Sequence, residues 1–293
     1  MSAKIYVLLP VHNRRAITEE FINCLVAQSY SNYHLILIDD GSTDGTSEMV
    51  KAKIGNLTIL KGVGNWWWAG SLQQGIDWLK QEGVADSNIV VFMNDDVLFE
   101  PDFLKVAVGL LDQYSGMLLP QVFNEGSGCI EESGVQADMK KLTFRTATSP
   151  QQINCLPTRG LFMRMSVLRR VGDFHPKLLP HYLSDYEFTL RAGRMGVMLQ
   201  TSPQLLISFD EEATGFRSFK ELTIAEFLSR YFSIKSASNP VYWSTFIWLA
   251  SPRLYMPWHI LKIWLSAIKA ISAQLMHTFN PRRIRAAVST PKK

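Results

Sequence analysis

Three polar clusters carry the residue types that phosphate and metal chemistry require, and each follows a run of apolar residues. They are Pro10-Val11-His12-Asn13, Asp39-Asp40-Gly41-Ser42-Thr43-Asp44-Gly45 and Asn94-Asp95-Asp96. Adjacent carboxylates repel each other, and holding both ionised requires a bound cation or a set of hydrogen-bond donors. Mg2+ or Mn2+ meets that demand: hard divalent ions take oxygen ligands, keep several waters and bridge protein carboxylates to substrate phosphates. A fourth group, Asp185 with Glu187, offers a carboxylate able to remove a proton from a hydroxyl. Taken singly, each group has an ordinary reading. The Asp-Gly-Ser-Thr-Asp-Gly run makes a turn and a helix N-cap, and Asp95 and Asp96 cap a helix near Pro101. Asp185 and Glu187 meet a helix dipole, with Arg191 as an i, i+4 partner of Glu187. Their joint placement at the ends of apolar runs is what favours a site.

The runs that precede these clusters have strand character, and the segments between them have helical spacing. Residues 5–9, 35–38, 57–60 and 88–93 read as strands, the last a continuous apolar run suited to burial on both faces. Residues 16–28 place Ile17, Phe21, Cys24 and Leu25 on one helical face, and further helices are predicted at 44–53, capped by Asp44, and at 71–80. Strands alternating with helices specify an α/β fold with a mostly parallel central sheet. Ligands of such sheets sit at the carboxyl ends of the strands, so the three clusters should line one crevice. Residues 126–134 and 143–157 are rich in turn formers and read as short irregular strands, with helices resuming at 166–171 and 186–194. From about Phe219 to Met276 the chain is increasingly aromatic and apolar, which puts a domain boundary near Gly215.

With 293 residues, 47% of them hydrophobic and 19% charged, the chain can bury one substantial core and a small C-terminal addition. Cys24, Cys129 and Cys155 lie far apart with no C-x-x-C pair, giving neither a zinc pattern nor an even disulfide framework and fitting a reducing cytoplasm. The apolar stretch from Lys4 to Pro10 is too short for a signal peptide, so export is not expected. The net charge of +4 is modest, and its dense basic run is Arg282, Arg283, Arg285, Lys292 and Lys293. Without interleaved aromatic and basic residues elsewhere, no nucleic acid is expected as a partner. A helix is predicted over 258–276, preceded by Tyr242, Trp243, Phe246, Ile247, Trp248 and Leu249, and no run there reaches the roughly 20 apolar residues of a membrane span. In that helix His259, Lys262, Ser266 and Lys269 recur at helical spacing, leaving Ile260, Leu261, Ile263, Trp264, Leu265 and Ile268 to cover most of the remaining surface. Two readings stay open: an interfacial helix with the basic tail at lipid headgroups, or a helix packed on the catalytic domain or on a second subunit of a homodimer.

Four motifs, in this order, resemble those of the family 2 glycosyltransferases, inverting and rhamnosyltransferase-like enzymes of GT-A fold. They are Pro10-Val11-His12-Asn13-Arg14, Ile38-Asp39-Asp40-Gly41-Ser42-Thr43-Asp44, Asn94-Asp95-Asp96 and the stretch from His181 to Arg191, and the likeness runs from about Lys4 to Gly215. The resemblance implies a GT-A nucleotide-sugar domain over residues 1–215 and a C-terminal helical extension over 216–293. It implies a nucleotide-binding set of Pro10, Val11, Asn13, Asp40, Asn65, Asn94 and Asp95. In that set the backbone around Pro10 and the Asp40 carboxylate hold the nucleobase, while Asn94 and Asp95 approach ribose and diphosphate. Asp96 matches the metal-binding last Asp of the family's D-x-D element, whose first Asp is replaced here by Asn94. Asp185 occupies the position of the catalytic base, and Glu187 would orient donor or acceptor groups. The segment from Gly64 to Ile76 resembles an Asn- and Gly-rich loop that can offer backbone N–H groups to a diphosphate. It carries Trp67 where Gly is usual and Gln73 where Asn is usual; of Trp66, Trp67 and Trp68, two are expected to pack in the core and one to face the cleft. Many relatives add a metal-binding His where this chain has Phe209, so the ion would rely on Asp96, phosphates and water, or borrow Asp210.

The expectation is therefore a cytoplasmic enzyme, peripheral on the inner face of the cell membrane. It would transfer a hexose or deoxyhexose with inversion from a UDP- or dTDP-sugar to a glycan or lipid-linked glycan, using Mg2+ or Mn2+. One alternative is a nucleotidyltransferase making nucleotide sugars, which would be expected to open with a Gly-rich loop that Pro10-Val11-His12-Asn13-Arg14 lacks. Another is a catalytically silent sugar-nucleotide or membrane-binding protein, against which the presence of both Asp96 and Asp185 argues.

Overall fold

Period-2 alternation sorts the side chains of the first strands onto two faces of a sheet, and both faces need cover. The computed structural model of the protein describes residues 3–124, 129–132, 134–209 and 222–278. The chain divides into two compact units, Met1–Thr214 and Gly215–Lys293. The first unit begins β1 (Ile5–Val11), α1 (Arg15–Val26), β2 (Tyr33–Asp39), α2 (Thr46–Lys53), β3 (Leu57–Lys61), α3 (Trp67–Gln81) and β4 (Ile89–Phe92). It continues β5 (Val97–Leu98), α4 (Phe103–Gln113), β6 (Met117–Asn124), β7 (Cys129–Glu132), β8 (Val135–Asp138) and β9 (Thr143–Thr146). A 3-10 turn at Pro150–Gln152 leads to β10 (Leu161–Arg164), α5 (Met165–Val171), α6 (Ser184–Arg194) and β11 (Leu199–Phe209).

The nine-stranded sheet has the order β3-β2-β1-β4-β10-β6-β11-β5, with β7 added on β6 and a separate β8-β9 pair. Strands β1 to β4 are parallel, β10 runs antiparallel between β4 and β6, and β11 is parallel to β6. Because β2 and β4 lie on opposite sides of β1, the connections diverge there, which opens a crevice at the carboxyl ends of these strands. Val7, Leu9, Leu35, Leu37, Ile89 and Val91 join one core under α1, α2 and α4. Their neighbours Leu8, Ile36, Ile38, Val90 and Phe92 join a second core under α3, α5 and α6. Helix α3 lies so close to the sheet that a Cβ on Gly75 would stand 2.7 Å from Leu8 Cδ2 and 2.9 Å from Ile38 Cδ1.

Several helix starts differ from expectation by two residues or more, α6 beginning at Ser184 and α9 at Met256, and two of the shifts have a visible cause. Helix α2 begins at Thr46, and Asp44 acts from just outside it, accepting from the Thr46 N–H at 3.1 Å and the Thr46 hydroxyl at 2.5 Å. Helix α3 begins not at residue 71 but at Trp67, where the Trp66 and Trp67 N–H groups meet the Asp40 carboxylate.

The second unit contains α7 (Ile224–Tyr231), α8 (Pro240–Ala250) and α9 (Met256–Thr278). Thr223 and Glu226 form a capping box at the start of α7, and Asn239 caps α8 through the Val241 N–H at 2.9 Å. Gln274 donates to the Leu222 carbonyl at 2.7 Å and the Trp264 indole to the Ser244 hydroxyl at 3.1 Å, tying α9 back onto the unit. Among the described residues no helix is long and apolar enough to cross a membrane. The basic tail residues Arg282, Arg283, Arg285, Lys292 and Lys293, and Asp210, lie outside the described residues.

Candidate active site

The loops after β1 and β2 are zipped together by side chains that satisfy each other's backbone. Asn13, at φ 51°, donates its N–H to the Ser42 hydroxyl at 3.0 Å and accepts from the Thr43 N–H at 2.8 Å. Asp44 accepts from the Arg15 N–H at 2.9 Å, capping α1 from the neighbouring loop. Asp39, almost fully buried, accepts from the Ser42 N–H at 2.8 Å and from the Ser47 hydroxyl. Pro10 sits near the end of β1, beyond the β4 pairing, where its missing N–H costs no ladder bond. Next to it the Val11 carbonyl accepts from the Asp40 N–H at 3.0 Å, and His12 Nδ1 donates to the Asp40 carbonyl at 2.6 Å.

The Asp40 carboxylate is buried and fully engaged. One oxygen accepts from the N–H groups of Gly64 at 2.8 Å and Asn65 at 3.2 Å, the other from Trp66 at 2.8 Å and Trp67 at 3.2 Å. The amides of the 64–67 loop do form an anion-binding nest, but it holds an aspartate of this chain. That corrects the expectation that this loop offers these amides to a diphosphate, and it explains why α3 starts early: Asp40 is its N-terminal cap, supplied from 26 residues away. Two glycines permit the close approach. A Cβ on Gly62 would stand 2.5 Å from Asp40 Oδ1, and one on Gly41, at φ 79°, 2.8 Å from the Gly64 nitrogen. Trp67, where Gly is usual, holds φ at 58°, a left-handed conformation that a bulky residue rarely adopts. Trp66 and Trp68 pack against the second core, and the Trp67 ring lies 6.0 Å from that of His181. Gln73, where Asn is usual, bonds to Asp77, Asp173 and the Phe174 N–H and so ties α3 to the segment before α6.

At the end of β4 the two carboxylates face different surroundings. Asp95 is 5% exposed and accepts from the Thr18 hydroxyl at 2.9 Å. Burial pushes its pKa up to about 6, against the opposing pull of Arg14 and the Thr18 hydrogen bond. Asp96 is half-buried; its Oδ2 lies 3.3 Å from Arg14 Nη2, and its buried Oδ1 has no hydrogen-bond partner. Phe209 pairs through its backbone with Val97, the residue after Asp96. Asn94 is half-buried at the same strand end.

Asp185 and Glu187 both stand in the first turn of α6 but do different things. Asp185 is half-buried and accepts from the Tyr186 N–H at 2.9 Å. Glu187 is 2% exposed and makes a two-pronged pair with Arg191 at 2.9 and 3.0 Å, while Arg191 also donates to the carbonyls of Val171 and Asp173. Through Arg191 its carboxylate holds α6 to the preceding loop. The residue before the helix, Leu183, has φ 69°, so three of the four non-glycine residues at positive φ among the described ones, Asn13, Trp67 and Leu183, stand in these loops.

The segment between β9 and β10 joins the parts. Gly160 donates to the Phe92 carbonyl at 2.8 Å, the Thr158 hydroxyl accepts from the Trp68 indole at 3.1 Å, and Leu156 exchanges bonds with the Thr189 hydroxyl of α6. The ends of β1, β2 and β4 and the starts of α3 and α6 are thus one bonded assembly. Sequence reasoning gave no role to Arg14, Thr18 or Thr158; for Arg14 the signal was its place directly after the first cluster. A pocket of about 210 Å3 beside α6 is lined by Phe144, Arg145, Pro157 and Tyr186 among others, with the Phe144 and Tyr186 rings stacked at 5.4 Å. A larger cleft of about 950 Å3, at the other ends of α4 and α6, contains none of the predicted site residues.

Residues 6–172 match the family profile described as Glycosyl transferase family 2. Glycosyltransferase AglE of Haloferax volcanii is 26% identical over 204 residues, 67% of this chain and 63% of that protein, so the chain spans less than two thirds of this relative's length. The structure of S. aureus TarS 1–349 in complex with UDP-GlcNAc superposes with a TM-score of 0.58 at 19% identity, covering 96% of this chain and 92% of that one. Mannosyltransferase PcManGT from Pyrobaculum calidifontis, in complex with GDP-Man and Mn2+, gives 0.54 at 18% identity, covering 98% and 84%. The fold is that of the GT-A glycosyltransferases. By the extent of its match, which covers more than half of its residues, the chain belongs to glycosyl transferase family 2.

Proposed function

We propose that residues 1–215 are the catalytic domain of a metal-dependent inverting transferase that moves a hexose or deoxyhexose from a UDP- or dTDP-sugar to a glycan or lipid-linked glycan. The observation that carries this reading is the buried, partnerless Oδ1 of Asp96 at the carboxyl end of β4. A buried carboxylate oxygen without a donor fits a hard cation. The described residues contain no group of three or more His, Cys, Asp and Glu that could hold a metal, so Asp96 would be the main protein ligand, with phosphates and water completing the shell. When bound, Mg2+ or Mn2+ supplies neutralisation of the charge that grows on the departing nucleoside diphosphate. Asp185 takes the proton of the acceptor hydroxyl as that oxygen attacks the anomeric carbon opposite the leaving group, which inverts the configuration. The backbone at Pro10 and Val11 forms the nucleobase edge, together with Asn13, and Asn65, Asn94 and Asp95 face ribose and diphosphate. Asp40 serves the nucleotide by fixing the 64–67 loop, and Glu187 by fixing α6. That TarS binds UDP-GlcNAc and PcManGT binds GDP-Man with Mn2+ supports a nucleoside diphosphate sugar as the donor class.

We further propose that residues 216–293 hold the enzyme peripherally on the inner face of the cell membrane. Trp248, Trp258, Leu261, Trp264, Leu265 and Ile268 are exposed, and no Asp or Glu follows Glu226, whereas Arg230, Lys235, Arg253, Lys262 and Lys269 do. Such a surface suits anionic lipid. The test of the donor reading is a thermal-unfolding screen of UDP-, dTDP- and GDP-sugars with and without Mn2+. A ligand at about 100 times its Kd adds about 2.7 kcal/mol of stability. At least one sugar nucleotide should raise the unfolding temperature in a Mn2+-dependent way, and Asp96→Ala should remove that dependence. Stabilisation that ignores both Mn2+ and the substitution, or none with any donor, would overturn it.

A further inference from the structure

Two adjacent, poorly solvated carboxylates need a counter-charge at all times, including when no metal is bound. The structure shows what supplies it. Arg14, the residue before α1, spans the pair, with Nε 3.3 Å from Asp95 Oδ1 and Nη2 3.3 Å from Asp96 Oδ2. Its grip is loose. Charge-assisted N–H···O bonds run to about 2.7–2.9 Å, and the Arg14 Nε is buried without a true hydrogen bond. Arg191 provides the contrast, with two bonds to Glu187 at 2.9 and 3.0 Å and two backbone carbonyls besides. The Arg14 side chain is 35% exposed, against 6% for Asp95 and 11% for Asp96, so it has room to leave while they do not.

Resting on the metal reading of Asp96, we propose that Arg14 is a positioning residue that competes with the divalent ion for this carboxylate pair. The guanidinium neutralises the pair in the empty enzyme, gives way when the ion takes the Asp96 oxygens, and is then free to meet the diphosphate. A guanidinium and a dication together over-compensate two carboxylates, and the added positive charge is balanced only when an anionic ligand arrives. The arrangement therefore keeps the ion weakly held in the absence of nucleotide.

The experiment is Mn2+ binding to the full chain without nucleotide, measured by the loss of the free-ion electron paramagnetic resonance signal. Wild type, Arg14→Met, Arg14→Lys and Asp96→Ala are compared. Arg14→Met should bind Mn2+ about tenfold more tightly than wild type and unfold at a lower temperature until Mn2+ is added. Arg14→Lys, which keeps the charge, should stay near wild type in both. Equal or weaker Mn2+ binding by a folded Arg14→Met, with Asp96→Ala abolishing it, overturns the competition but leaves the metal site standing. Binding that survives Asp96→Ala removes the metal site and the proposal with it. Should Arg14→Met fail to fold, Arg14→Gln replaces it, and Mn2+ affinity unchanged in that variant is equally decisive against the competition.

Discussion

In the N-terminal unit the strands bury Val7, Leu9, Leu35 and Val91 on one face and Leu8, Ile36, Ile38 and Phe92 on the other. In α9 the buried positions are His259, Ala267 and Gln274, while Trp258, Leu261, Trp264, Leu265, Ile268 and Met276 are between 39% and 70% exposed. Positions 258, 261, 265 and 268 recur at helical spacing, so these side chains form a stripe rather than a scatter. A single exposed Leu means little, but a contiguous apolar stripe on a helix marks a surface made to be covered. The first unit spends its apolar residues on its own stability. The second presents them outward, beside basic residues and with no Asp or Glu beyond Glu226.

The sharpest way to break this comparison is to truncate one aromatic residue in each unit. Phe188 is fully buried, stacked on Phe174 at 4.5 Å, and Phe188→Ala should cost about 3–5 kcal/mol of unfolding free energy. Trp258→Ala should cost less than about 0.5 kcal/mol, as surface substitutions do. Equal losses in denaturant titrations would mean that the α9 stripe is structural.

Within the first unit, Asp185→Asn and Glu187→Gln should separate chemistry from architecture. Asp185→Asn should keep donor binding and unfolding temperature while transfer falls about a hundredfold or more, the usual effect of losing a general base. Glu187→Gln should instead weaken the fold by about 2 kcal/mol, since it removes the charge from a buried hydrogen-bonded pair, and lower activity only in proportion to the folded fraction. A stable Glu187→Gln with transfer reduced as much as in Asp185→Asn would return Glu187 to the reaction.

The smallest expected effect bears on the second unit. Replacing Trp258 and Trp264 together by Ser should shift the protein from vesicles of anionic lipid to the soluble fraction in a flotation assay, with nucleotide-sugar binding unchanged. Binding by the intact chain should also weaken as salt rises, because the electrostatic share is screened over about 10 Å at 0.1 M. An intact chain that stays soluble at low salt and sediments as a dimer gives the stripe to a second subunit.

Much of the first unit was legible because its signals are local. The apolar runs at β1, β2 and β4, and the polar clusters that end them, need only period and composition to be recognised. What stayed hidden depends on partners far along the chain. No rule about adjacent residues places the Asp40 carboxylate under the amides of Gly64 to Trp67, or Asp44 at the start of α1, so helical spacing alone puts the start of α3 four residues late. The same holds for Glu187, whose spacing to Arg191 foretold the ion pair, whereas the two carbonyls that anchor Arg191 were out of reach of sequence. Arg14 stands in the first motif, but its bridge reaches Asp95 and, 82 residues along the chain, Asp96.

The Asp40 nest has an evolutionary consequence. Asp40 grips the loop by four main-chain amides, so the position of the loop does not depend on what side chains it carries at Val63, which is 83% exposed, or at the exposed Asn65. Those two positions can be exchanged while the backbone around the crevice stays where it is. A lineage can therefore vary the chemistry of these two positions without first losing and regaining a folded protein, because the loop's anchorage and its side chains are inherited separately.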